Sequence, residues 1–140
     1  MSVITTLSFD GHTEEALNFY RDSLDAEILF LMRFRDSPDQ SYTVPGMEDL
    51  VFHATFRIDG TELMASDVGH GDPDSIAGFS GFALALRLSS TDRARRVFDA
   101  LADGGEILIP LAESAFTSLY GIVIDRFKIS WKILVDQDRG

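Results

Sequence analysis

The sequence comes close to repeating itself. Phe19 with Glu27-Ile28-Leu29 returns 79 positions later as Phe98 with Glu106-Ile107-Leu108. Around each copy the hydrophobic pattern keeps one order: an alternating run, a stretch with helical spacing, then three more alternating runs. A strand-helix-strand-strand-strand unit of this size leaves one sheet face bare and cannot bury it alone, so the two halves should pair. Two curved sheets side by side would enclose a cleft. That expectation is α+β: two tandem βαβββ modules, 1–68 and 80–136, joined by the loop-like stretch 69–79 within one domain of residues 1–140.

The first half opens with a strand over 3–9, ended by Asp10-Gly11. Thr13 then supplies a hydroxyl cap, and Glu14 and Glu15 complement the positive end of a helix over 14–23. Ala16, Leu17, Tyr20 and Leu24 form its buried stripe. A strand over 27–35 would place Ile28, Phe30, Met32 and Phe34 on one face. Residues 36–49, with Pro38, Pro45 and Gly46, read as a loop able to cover an opening.

The next stretch is a hairpin. Asp59-Gly60 separates two β-type runs and can supply the positive φ angles of a two-residue turn. In that register Ile58 faces Thr61, Arg57 faces Glu62, Thr55 faces Met64 and His53 faces Ser66. One surface then carries Phe52, Phe56, Ile58, Leu63 and Ala65, apolar enough to lie under a helix. The other carries His53, Thr55, Arg57, Glu62, Met64 and Ser66, a mixture suited to meeting a ligand.

The second half continues with a strand over 81–88 and a helix capped by Ser90 or Thr91 and running to about Ala102, with Ala94, Val97, Phe98 and Leu101 inward. Gly104-Gly105 ends it, and strands over 106–111, 120–125 and 129–135 follow.

With 12 Lys+Arg against 23 Asp+Glu, the net charge of -11 repels phosphate backbones, and the bases do not cluster, so nucleic acid is not an expected partner. Acidity favours a cationic ligand weakly, and solubility accounts for it more often. The absence of Cys excludes disulfides, a thiolate zinc site and a cysteine nucleophile, and fits a reducing cytoplasm. The N-terminus lacks the basic region and apolar core of a signal peptide, and no apolar run reaches membrane-span length. The expected location is the cytoplasm, with no membrane partner.

The letters carry a resemblance as well. Leu7-Ser-Phe-Asp-Gly, Glu15-Ala-Leu-Asn-Phe-Tyr20, His53-Ala, Arg57-Ile-Asp-Gly60, Leu63-Met-Ala-Ser-Asp67, Gly81-Phe82 and Tyr120-Gly-Ile-Val-Ile-Asp-Arg-Phe127 with Trp131 span nearly the whole chain. Together they resemble the vicinal oxygen chelate superfamily (glyoxalase I, bleomycin resistance proteins, extradiol dioxygenases). The closer likeness is to its PhnB-like, 3-demethylubiquinone methyltransferase-like branch. The resemblance implies the glyoxalase/bleomycin resistance fold, a cup of two βαβββ modules, and a homodimer.

In metal-using members, four side chains, mostly His and Glu, reach the metal from four strands. Here the first strand offers Ile4, Thr5, Thr6 and Ser8; the opening strand of the second module offers Ser80, Phe82 and Ala83; and the usual glutamate of the last strand falls on Lys132. An ammonium there would repel a divalent ion, so no metal ligands and no cofactor are expected. Lys128 stands where the family commonly has a turn glycine. The methyltransferase label finds no glycine-rich strand-to-helix fingerprint for a nucleotide-bearing cofactor.

His53 is the one histidine on a strand; with Ser66 opposite, it can contact a ligand or act as a general base, and a satisfied structural histidine is the commoner reading. Arg57 and Glu62 can anchor a polar ligand or simply pair across the strands. Asp67 ends its strand, where it can cap the following turn. His12 and His70 sit in loops. Phe34, Phe116 and Tyr120 are candidates for an aromatic wall, or for core. No nucleophile-base-acid triad is readable.

The resulting expectation is a metal-independent homodimer that binds a small organic molecule, apolar or aromatic with a polar and, given the acidity, cationic handle. Its ligand-binding residues would be His53, Thr55, Arg57, Glu62, Met64, Ser66, Phe34, Phe116, Tyr120 and Lys132. Two alternatives stay open. One is a lyase, isomerase or metal-dependent enzyme of the vicinal oxygen chelate type using His53 as its catalytic residue, and the other is a structural or protein-binding homodimer. Enzyme or not is left undecided at this level.

Overall fold

The computed structural model describes residues 1–41, 43–68, 78–115 and 118–136. The chain divides into two compact units, Met1–Ala77 and Gly78–Gly140. The first contains β1 (Thr6–Ser8), α1 (Thr13–Leu24), β2 (Glu27–Arg33), a 3-10 turn (Phe34–Asp36), β3 (Val51–Ile58) and β4 (Thr61–Ser66). The second contains β5 (Leu84–Leu88), α2 (Thr91–Ala102), β6 (Glu106–Ala112), β7 (Leu119–Ile124) and β8 (Ser130–Val135). Each unit forms a four-stranded mixed sheet, ordered β1-β4-β3-β2 and β5-β8-β7-β6. The first strand of each runs parallel to the last, and the other pairs are antiparallel. This is an α+β fold of two βαβββ modules with one topology.

In the first unit, α1 buries Ala16, Leu17, Tyr20 and Leu24, as its apolar spacing requires. The Tyr20 ring stacks on Phe56 at 6.3 Å and meets Phe9 at 6.1 Å. Leu63 and Ala65 of β4 and Leu7 of β1 complete this layer. The hairpin register is the one its alternation dictates, with Ile58 opposite Thr61, Arg57 opposite Glu62 and Thr55 opposite Met64. At the turn the left-handed angle belongs to Asp59 (φ 53°), and Gly60 stays outside that region. In the second unit, α2 is capped by Ser90, whose Oγ accepts from the Arg93 N–H at 3.2 Å, and it buries Ala94, Val97, Phe98 and Leu101.

Several boundaries differ from the sequence reading, each for a local reason. β1 is only Thr6–Ser8, because it lies on an edge and extends no further than its partners Met64–Ser66. β2 stops at Arg33: the N–H groups of Phe34 and Arg35 bond Leu50 O and Glu48 O, and Ser37 N closes on Phe34 O at 3.1 Å. Register shifts at Ile28/Phe30 and Met32/Arg33 also break the strict alternation expected of that strand. β5 begins at Leu84, since Gly81 turns left-handed (φ 81°) just before it. Thr13 is not the cap of α1. It lies inside the helix, and the residue at the cap, His12, makes no side-chain cap bond. Among the described residues no helix is long and apolar enough to cross a membrane.

Candidate functional site

Each helix covers one face of its sheet, and the opposite face is open. On the first sheet the open face collects the polar half of the hairpin: His53, Thr55 and Arg57 from β3, with Glu62, Met64 and Ser66 from β4. All but the exposed Glu62 are half-buried. The His53 ring lies 6.1 Å from that of Phe30, and Thr55 sits between Phe30 and Met64 in register. Arg57 does not pair with Glu62. Its guanidinium bonds Glu27 at 3.0 Å, since Glu27 on the edge strand is also a register partner. The Ser66 Oγ accepts from the Val68 N–H at 2.8 Å, so it closes the end of β4 rather than meeting His53.

On the second sheet, Tyr120 of β7 and Lys132 of β8 share the open face, with Lys132 Nζ 5.9 Å from the centre of the Tyr120 ring. Phe34 belongs elsewhere. It is buried in the 3-10 turn, edge-on to Phe52 at 5.4 Å, and is a core residue. Phe116 and His70 lie outside the described residues. His12, half-buried before α1, has Nδ1 3.7 Å from Glu15 Oε1.

A cleft of about 110 Å³ opens on the first unit at the start of α1, and none of the expected site residues lines it. Its polar groups are occupied with one another. Arg33 bonds Glu14 Oε2 at 2.6 Å and Asp49 O at 2.8 Å, and the Glu14 carboxylate raises the pKa of the guanidinium further. Asp67, fully buried, accepts four bonds: Gly11 N (2.8 Å), Thr13 N (3.2 Å) and Thr13 Oγ (2.6 Å) on Oδ1, and Val51 N (3.0 Å) on Oδ2. The carboxylate at the end of β4 thus serves as the missing cap of α1. Sequence reading missed this brace, because its donors stand up to 56 positions away. The one available signal was a carboxylate next to a run of apolar strand residues, and it points to burial without naming a partner.

The strand positions from which a metal would be held can be tested against their donors. Register places Thr6 beside Met64 in the first sheet and Ala85 beside Lys132 in the second. Ser80, Phe82 and Ala83 fall before β5 begins. A hydroxyl, a thioether, a methyl and an ammonium do not fit the imidazole and carboxylate set a divalent ion needs. Among the described residues no three His, Asp or Glu side chains are grouped to hold a metal ion.

Comparison with known proteins agrees with the topology. The solved glyoxylase/bleomycin resistance protein/dioxygenase domain from Frankia has the same fold at 17% identity, with a TM-score of 0.64 over 100% of this chain and 94% of its own. A solved PhnB protein from Bacillus cereus is 30% identical, with a TM-score of 0.79 over 96% of this chain and 99% of its own. Protein YjdN of Escherichia coli is 34% identical over 137 residues, spanning 92% of this chain and 91% of that protein. The family model described as 3-demethylubiquinone-9 3-methyltransferase matches residues 1–134. The chain therefore belongs to that family, the PhnB-like branch of the vicinal oxygen chelate superfamily.

Proposed function

We propose that the protein is a metal-independent, homodimeric binder of a small organic molecule, which lies against one of the open sheet faces. The observation that carries this reading is the character of those faces. Their side chains are mostly half-buried, and they mix aromatic, aliphatic and polar groups where an idle surface would be solvated and a core would be apolar. A metal-independent mode follows from the donor set at Thr6, Met64, Ala85 and Lys132. The homodimer is supported by exposed apolar side chains at matching places of the two modules, Leu29 and Phe30 on β2 with Leu108 and Ile109 on β6. A chain without Cys suits a reducing cytoplasm.

Native mass spectrometry of tag-free protein, with elemental analysis, tests the reading. A dimer retaining a small organic mass and no stoichiometric metal is expected. A bound divalent metal would overturn metal independence, and a monomer at micromolar concentration would overturn the assembly. His53 carries the enzyme alternative, because its half-buried ring lies beside Phe30 on the mixed face and makes no hydrogen bond to another described residue. If an activity is found, His53→Ala abolishing it in a folded protein would favour that alternative.

A further inference from the structure

The binding reading above leaves the ligand's chemistry open, and the second sheet narrows it. β8 places Lys132 in the middle of an open face, flanked in register by Ala85 on β5 and Ile122 on β7. Leu134 follows on the same face, opposite Tyr120. Lys132 is half-buried, and among the described residues its ammonium makes no ion pair. The acids of that face are engaged or distant. Asp136 pairs with Arg87 at 3.4 Å, and Glu106 lies on the far side of β7.

Lys132 is a half-buried lysine whose stem lies among a methyl, two aliphatic side chains and an aromatic ring, and among the described residues no carboxylate pairs with its ammonium. The nearest compensating group is the face of Tyr120, whose ring sits at the outer limit of a cation–π contact. Such a cation attracts an anion, and its neighbours favour an apolar body attached to that anion.

We infer that the second sheet recognises an aromatic or aliphatic carboxylate, with the Lys132 ammonium binding the carboxylate and Tyr120, Ile122 and Leu134 contacting the apolar body. This rests on the small-molecule reading and reverses the sign that net charge alone favours. The chain is acidic overall, yet the charge at the centre of this face, Lys132, is cationic.

The test is calorimetric titration of the full chain with 2-naphthoate, 2-naphthamide and 2-naphthylmethylammonium, which share one ring system and differ in charge. Wild type should bind the carboxylate about tenfold more tightly than the amide, the scale of one charge-assisted bond. Lys132→Met should abolish the preference, bringing the carboxylate to the level of the amide, and Lys132→Arg should keep it. Thermal melts confirm that both variants fold. Equal binding of the three compounds, or tighter binding of the ammonium, would overturn the carboxylate inference and leave the binding reading standing. A preference that survives in Lys132→Met would remove Lys132 from the site. No binding of any of the three at millimolar concentration would overturn the carboxylate inference, the small-molecule reading being tested separately by native mass spectrometry.

Discussion

Among the described residues two carboxylates, Asp67 and Asp125, are fully buried, and each is held by a different arrangement. Asp67 gathers four donors at the start of α1 and the entry of β3. Asp125 closes the β7–β8 turn by accepting from Phe127 N (2.8 Å) and Ile129 N (3.1 Å), while its other oxygen takes the Trp131 indole N–H at 2.8 Å. A buried carboxylate is tolerated only when so satisfied, and removing one side of the arrangement strands the other. Asp67→Ala should therefore cost about 3–5 kcal/mol in chemical denaturation, with Asp67→Asn milder because one acceptor oxygen remains. Trp131→Phe, which leaves Asp125 Oδ2 without the indole, should cost about 1–3 kcal/mol. Lys128 behaves oppositely. Its φ of 76° is unfavourable for a side chain with a Cβ, so Lys128→Gly should stabilise by about 1 kcal/mol, seen as a raised thermal midpoint.

At the scale of elements, packing of each helix on its sheet depends on how closely the backbones approach. Gly121 of β7 lies under α2, where an added Cβ would stand 2.9 Å from Phe98 Cε2 and 3.0 Å from Ile109 O. The Ile109 carbonyl and the Leu111 Cα, also 3.0 Å away, are backbone and cannot turn aside as a side chain can. Gly121→Ala is thus expected to destabilise by about 2 kcal/mol, with the loss read by denaturant titration. The helix stripes and the hairpin were legible from periodicity, since Ala16, Leu17, Tyr20 and Leu24 and the Thr55–Met64 register each follow from local spacing. β2 was read as a strand, but its end and its register shifts were not: the N–H groups of Phe34 and Arg35 bond Leu50 and Glu48, across a loop whose path the local sequence does not specify.

At the scale of the whole molecule, the matching exposed positions on β2 and β6 make a concrete claim about assembly. Light scattering should report twice the 15.5 kDa chain mass. Leu108→Glu, which places a charge at an apolar residue 51% exposed in the single chain, should shift the protein toward monomer without loss of fold. An unchanged dimer would exclude this strip from the interface. The candidate site was partly legible at this scale. The mixed face of the hairpin was readable from alternation; Lys132 was singled out through the family resemblance, its approach to Tyr120 came only with the structure, and Phe34 is buried in the core.

The sequence by itself determined the two modules, through their repeat, and what depends on short-range spacing: the helix stripes, the hairpin register and the division of the hairpin into an apolar and a mixed face. Side chains separated by two, three or four positions are placed by the geometry of the strand or helix they occupy, so their pattern can be read directly. The tertiary structure decided which partners meet across long separations. Asp67 caps a helix whose Thr13 is 54 residues away, and Arg57 turns to Glu27 over Glu62. Those choices depend on which strands become neighbours and in what register, and no local spacing carries that information.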